Sequence, residues 1–186
     1  NDNCSGAVTV TCGQTILGQT NSATDDLSYL LSNNLSTGCG SGLGATESKG
    51  VWYYYEGTGN AVDVQTCGGN TNFDTRLSVF TGACGTFNCV AGNDDDCSTQ
   101  SSVSFTSLVG VGYYIYVHGY GNGVEAQGIF DLSISCFAPC LPKPANDVCN
   151  SAESLTVQTY GSCAIDTGSN ICAELAWSVP SCNLAV

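Results

Sequence analysis

The stretch AGNDDDCS, residues 91–98, sets Asp94, Asp95 and Asp96 side by side in a loop. Adjacent carboxylates repel one another unless solvent or a cation separates them. Calcium takes about six to eight hard oxygen ligands, many from Asp, Asn and backbone carbonyls on irregular loops. Two readings stand here. One is a calcium site; the other is a solvated Asx-type turn, which Asn and Asp favour with no metal at all. No complete ligand set such as an EF-hand loop is present.

Other chemistry is thinner. His118 is the sole histidine, set mid-strand beside Tyr114 and Tyr116 on a surface patch or a partly covered sheet. Serines abound, but there is no G-x-S-x-G elbow and no motif pairs a nucleophile with His118. Neighbouring aspartates also suit glycoside hydrolysis poorly, because its two carboxyls flank the bond from opposite sides. The glycine cluster in CGSGLG, 39–44, is followed by neither a P-loop lysine nor a helix start, so it reads as a loop. Catalysis is therefore not expected.

Trp52, Tyr53, Tyr54 and Tyr55 run consecutively, so one sheet face must carry two of them. With Tyr114 and Tyr116, Trp52 and Tyr54 make a candidate binding face. Flat aromatic surfaces suit sugar rings or protein neighbours, and burial beneath a loop is the third option.

Thirteen cysteines accompany a single histidine and no C-x-x-C pair, which leaves zinc ribbons and fingers without ligands. A disulfide framework in an oxidising compartment is the expectation. Cys84 and Cys89 would close a short hairpin loop in CGTFNC, and Cys67 and Cys97 flank it as a second candidate pair. An odd count leaves at least one cysteine free, paired between chains, or paired with a residue beyond the end. Asn34-Leu35-Ser36 is an N-glycosylation sequon, and Asn3-Cys4-Ser5 is formally another.

The net charge is -13, with Lys+Arg 3 against Asp+Glu 16. Nucleic acid needs clustered cations, and Lys49, Arg76 and Lys143 are isolated, so it is excluded as a partner. Anionic membrane surfaces are disfavoured for the same reason. With no apolar run near ~18 residues and no leader at Asn1, the chain reads as mature, secreted and without membrane insertion.

The elements that must hold these residues are strands. RLSVF, SVSFTSL, YYIYVHG and FDLSIS each alternate apolar with polar residues, burying one face and wetting the other. VWYYYE and AVDVQT add two more around the turn GTGN, and another strand is expected between Ala7 and Leu17. Frequent strands, Gly/Asn/Asp turns and no helical stripe indicate an all-β, disulfide-rich antiparallel β-sandwich, most simply a jelly roll.

CFAPCLPKPA then interrupts the pattern, since three prolines in a short span form an extended connector rather than a sheet. Beyond it, NDVCNSA at Asn146 repeats the opening NDNCSGA at a constant offset. The expected organisation is a β-sandwich repeat over 1–136, a Pro-rich linker over 137–145 and the N-terminal part of a second repeat over 146–186. Repetition at this spacing marks a tandem array.

In order, NDNCSGA, GVWYYYEGTG, FDTRLSVFTGACGTFNCVAGNDDD and YYIYVHGYG followed by GIFDLSIS resemble a cysteine-rich repeat of multi-domain secreted algal and Bacteroidetes proteins. The later part is also similar to the bacterial pre-peptidase C-terminal domain, where an Asp-Thr-x-Leu strand precedes an Asn-Asp-Asp turn. The resemblance implies an accessory β-sandwich for display, adhesion or carbohydrate contact rather than catalysis. It also adds Asp74 to Asp94, Asp95 and Asp96 as a calcium ligand.

The expected function is a non-catalytic module of an extracellular or cell-surface array, adhesin or filament. Its partners are copies of itself, joined head to tail through the partial repeat, or neighbouring repeats of a longer chain. The alternative is a carbohydrate-binding module that takes a polysaccharide, with calcium as its cofactor.

Overall fold

Alternating residues become strands here because each strand has a sheet on one side and a partner layer on the other. The computed structural model describes residues 1–24, 39, 47–121 and 127–138. The sandwich belongs to a unit spanning Asn1–Ala138. The partial repeat, nearly all of the linker and Asn34 lie outside the described residues.

After a 3-10 turn at Cys4–Gly6 come β1 (Val8–Val10), β2 (Thr15–Gln19), β3 (Glu47–Glu56), β4 (Ala61–Gln65) and β5 (Thr75–Ala83). Then follow β6 (Thr86–Asn93), β7 (Ser102–Thr106), β8 (Gly112–Tyr120) and β9 (Ile129–Phe137). One sheet has the order β1-β3-β8-β5-β6 and the other β2-β9-β4-β7. Without β1, this is the eight-strand order of a jelly roll, in which consecutive strands pass between the two sheets except at the β5–β6 hairpin. β1 is the departure from an all-antiparallel sandwich: it joins β3 in parallel, with Val8 opposite Tyr53. β9 also runs one residue past Cys136, to Phe137, which the sequence assigns to the linker.

Turn chemistry matches the sequence signals. In GTGN, Gly59 has φ +85, and in the β5–β6 hairpin Gly85 has φ +101, both in the region glycine enters without strain. Gly18 serves packing instead. A Cβ there would lie 2.3 Å from the Phe130 ring, so its absence lets β2 close over the core.

Between the sheets, Tyr53, Tyr55, Leu77, Val79, Ile115 and Val117 meet Val62, Val64, Val103, Phe130, Leu132 and Ile134. A second apolar cluster lies on the opposite face of the five-stranded sheet. It joins Trp52, Phe80, Phe87 and Tyr116 to Cys4 and Cys39. The central strands β3, β8 and β5 are therefore covered on both faces, and β5 is buried without interruption from Thr75 to Phe80.

Disulfides hold this second layer. Cys4 bonds Cys84 and Cys39 bonds Cys89, while Cys12–Cys136 joins the first turn region to β9. The expected Cys84–Cys89 bridge is not formed. In the β5–β6 hairpin each of those residues instead anchors a distant segment across the sheet. Cys67–Cys97 is formed, joining the chain after β4 to the acidic loop.

Candidate functional site

Asp74 and Asp94 meet because β5 starts where β6 ends. Asp74 immediately precedes β5, and Asp94 immediately follows β6, its antiparallel neighbour. The Ser101 hydroxyl sits between the backbone carbonyls of Thr75 and Asp94, fastening the acidic loop to the start of β5. The Thr75 N–H donates to the Thr99 carbonyl at 2.9 Å, and the Cys67–Cys97 bond clamps the same loop from beyond β4.

Carboxylate oxygens of Asp74, Asp94 and Asp95 all lie within 4.8 Å of one another. Asp96, the fourth expected member, is exposed and stands outside this group. Asp94 presents Oδ2 to Arg76, whose Nη2 donates to it at 2.9 Å. Its Oδ1 and the Oδ1 of Asp74 are buried with no hydrogen-bond partner. Burial, then the charges of Asp94 and Asp95, hold the Asp74 carboxyl above the usual carboxylate range, against a lowering pull from Arg76.

Arg76 and His118 extend the cluster into the protein. Arg76 is stacked over the Tyr120 ring, 4.5 Å from its centroid, with Nε and Nη1 unpaired. His118 stands opposite Arg76 across the β5–β8 ladder and stacks on Tyr116 at 4.8 Å. Neither of its ring nitrogens has a well-formed hydrogen bond. Burial first, and the Arg76 charge second, push it down to about 3, against a smaller opposing effect of the Gly119 backbone. Six of the seven unpartnered buried polar side-chain atoms among the described residues thus belong to Asp74, Arg76, Asp94 and His118. That concentration marks this as the place on the sandwich where polar capacity is least satisfied.

His118 is fully buried, not a surface patch, so it has no open route to a substrate. The expected aromatic binding face is also corrected. Trp52 and Tyr116 are both 0% exposed, packed 4.5 Å apart in the second cluster, with Phe87 stacked on Trp52 at 5.3 Å. Only Tyr54 and Tyr114 remain half-buried, edge to face at 5.3 Å. Asn3 is exposed, and its side-chain oxygen accepts from Ser5 Oγ at 3.1 Å.

Sequence reasoning missed Arg76 as the partner of Asp94 and His118 as a neutral, enclosed group. A signal was available, because His118 shares its face of β8 with Tyr114, Tyr116 and Tyr120, and Arg76 shares its face of β5 with Phe80. A charge so placed needs a partner once that face is covered.

No protein-family model matches the chain, and no curated protein matches it. Among solved structures, it is similar to the pre-peptidase C-terminal domain of a collagenase from Bacillus anthracis. That match has 16% identity and a TM-score of 0.43, covering 69% of this chain and 94% of that one. It is also similar to PliG of Aeromonas hydrophila, a periplasmic inhibitor of g-type lysozyme. There the identity is 15% and the TM-score 0.41, over 70% of this chain and 96% of that one. Likenesses this distant carry no argument about function.

Proposed function

We propose that this chain is a non-catalytic structural module of an extracellular array or filament, joined head to tail through the residues that repeat its opening. The observation that carries the reading is the placing of the two ends of the sandwich. Asp2 binds the Thr24 N–H at 2.6 Å, just beyond the end of β2 where Gln19 pairs with Ile129. Phe137 pairs with Ala61 at the other end of β9. The eight residue steps between Ile129 and Phe137 span roughly 27 Å. A domain that takes in its chain at one end and releases it at the other strings copies in a line, and NDVCNSA follows a short linker later.

Cysteine arithmetic supports the same reading. Eight cysteines close four bonds inside the sandwich. The other five, Cys140, Cys149, Cys163, Cys172 and Cys182, are an odd number, so at least one of them bonds elsewhere or stays free. A neighbouring copy or a neighbouring repeat is the economical partner. Four disulfides also fit an oxidising, extracellular setting.

Sedimentation of the full chain beside a chain ending at Ala138 tests this. The shorter chain keeps the four disulfides of the described residues and both apolar clusters, so it retains what folds the sandwich. The full chain is expected to form higher species and the shorter one to stay single. Equal behaviour removes the role given to the repeat.

One observation favours a second reading, that the module takes calcium. Asp74, Asp94 and Asp95 offer clustered hard oxygens, and the two buried Oδ1 atoms have no other partner. Arg76 would then steady Asp94 from behind. Carbohydrate contact through Trp52 has lost its platform.

A further inference from the structure

We propose that the open edge of β2 pairs with β2 of a second copy, joining two modules side by side through an antiparallel strand pair. This goes beyond the head-to-tail reading, because the contact lies on the flank of the sandwich and not at its ends.

Among the described residues β2 is the last strand on one side of its sheet, with β9 as its only sheet partner. The Thr20 N–H donates to the Gly128 carbonyl at 2.9 Å and the Ile134 N–H to the Gln14 carbonyl at 2.9 Å. Those bonds set the phase of the ladder. Even-numbered residues of β2 exchange hydrogen bonds with β9, and Thr15, Leu17 and Gln19 turn their N–H and C=O groups outward. No described residue bonds those outward groups.

Exposed edges are normally blunted by Lys, Pro, a bulge or an inward charge. Thr15-Ile16-Leu17-Gly18-Gln19 has none of these. At the other side of the sandwich β6 and β7 lie against each other, and the Ser102 N–H is capped by Asn93 Oδ1 at 3.2 Å. On β2, by contrast, Leu17 is 63% exposed and Ile129 37%, and the two share a shallow groove with Gly18 and Gln19.

The partner is a second copy because the edge is complementary to itself. A two-fold axis at Leu17 sets Leu17 against Leu17 and Thr15 against Gln19. The outward N–H and C=O groups of all three residues are then paired on both chains. The strand is also uncharged in a chain of net charge -13, so like charges do not meet where the backbones approach.

The experiment uses the full chain carrying Leu17→Cys, oxidised and mapped by peptide mass spectrometry. Paired as proposed, the two Leu17 Cα atoms lie about 5.5 Å apart, within disulfide range. A dimer bridged from position 17 to position 17 is expected. A bridge from 17 to one of the tail cysteines, or no bridge, overturns the proposal and leaves the head-to-tail reading to its own test. In the unaltered chain, exchange of the Leu17 amide should slow at least about tenfold from micromolar to millimolar protein. Leu17→Lys should abolish that slowing. Equal rates at both concentrations, or slowing that survives Leu17→Lys, also overturn it.

Discussion

Arg76 and His118 face each other across the β5–β8 ladder, both inside the protein, and burial first, with the guanidinium second, keeps the imidazole neutral. A histidine with a lowered folded value contributes stability above its unfolded value, near 6.5. That contribution is lost as pH falls toward about 3. Acid denaturation should therefore show a slope of up to roughly 1.4 kcal/mol per pH unit across this window from His118. His118→Phe keeps the stack on Tyr116 and removes the titration, so its stability should vary less with pH between these limits. Chemical denaturation at several pH values checks this; parallel curves for the two proteins count against it.

Asp74 works in the opposite direction. Its folded value is raised by burial and by Asp94 and Asp95, so its contribution is greatest at low pH and lost as pH rises through that value. Without metal, Asp74→Asn should be the more stable protein at pH 7, with the difference vanishing well below the ordinary carboxylate range. Melting curves of the two proteins in chelator decide it.

Calcium should reverse that order. If Asp74, Asp94 and Asp95 hold the ion, calcium at a hundred times its Kd stabilises the parent by about 2.7 kcal/mol. Asp95→Asn, at the exposed member of the group, should abolish the response with little effect on the metal-free melt. Identical parent melts in calcium and in chelator would exclude the site.

Trp52 is a packing residue in this account. Trp52→Ala removes a ring enclosed by Phe80, Phe87 and Tyr116, and should cost about 3–5 kcal/mol in stability. Urea denaturation gives the figure. A loss under about 1 kcal/mol would mean that the second cluster is loosely packed.

Period-two alternation located the strands because successive side chains fall on opposite faces; FDLSIS does bury one face and leave the other wetter, whereas YYIYVHG is a strand covered on both. Alternation tells which residues share a face but not what lies over it. Trp52, Tyr116, Arg76 and His118 thus read as outward-facing although they are enclosed. Of the two local pairings read from the sequence, Cys67–Cys97, separated by 30 residues, is formed and Cys84–Cys89 is not. Cys4–Cys84 and Cys12–Cys136, separated by 80 and 124, are set by sheet order, which no single sequence segment contains. Asp94, Asp95 and Asp96 were visible as a run, but Asp96 stands outside the group that the first two form with Asp74, and its N–H donates to the Gln100 carbonyl.

Electron microscopy of the full chain tests its assembly through the repeated opening. Because the opening residues lie toward one end of β9 and the chain leaves at the other, filaments are expected with an axial repeat of roughly 30–50 Å per copy, strand axes running along them. A chain ending at Ala138 should give none. Single particles from both chains, or filaments from both, would contradict assembly through the repeated opening.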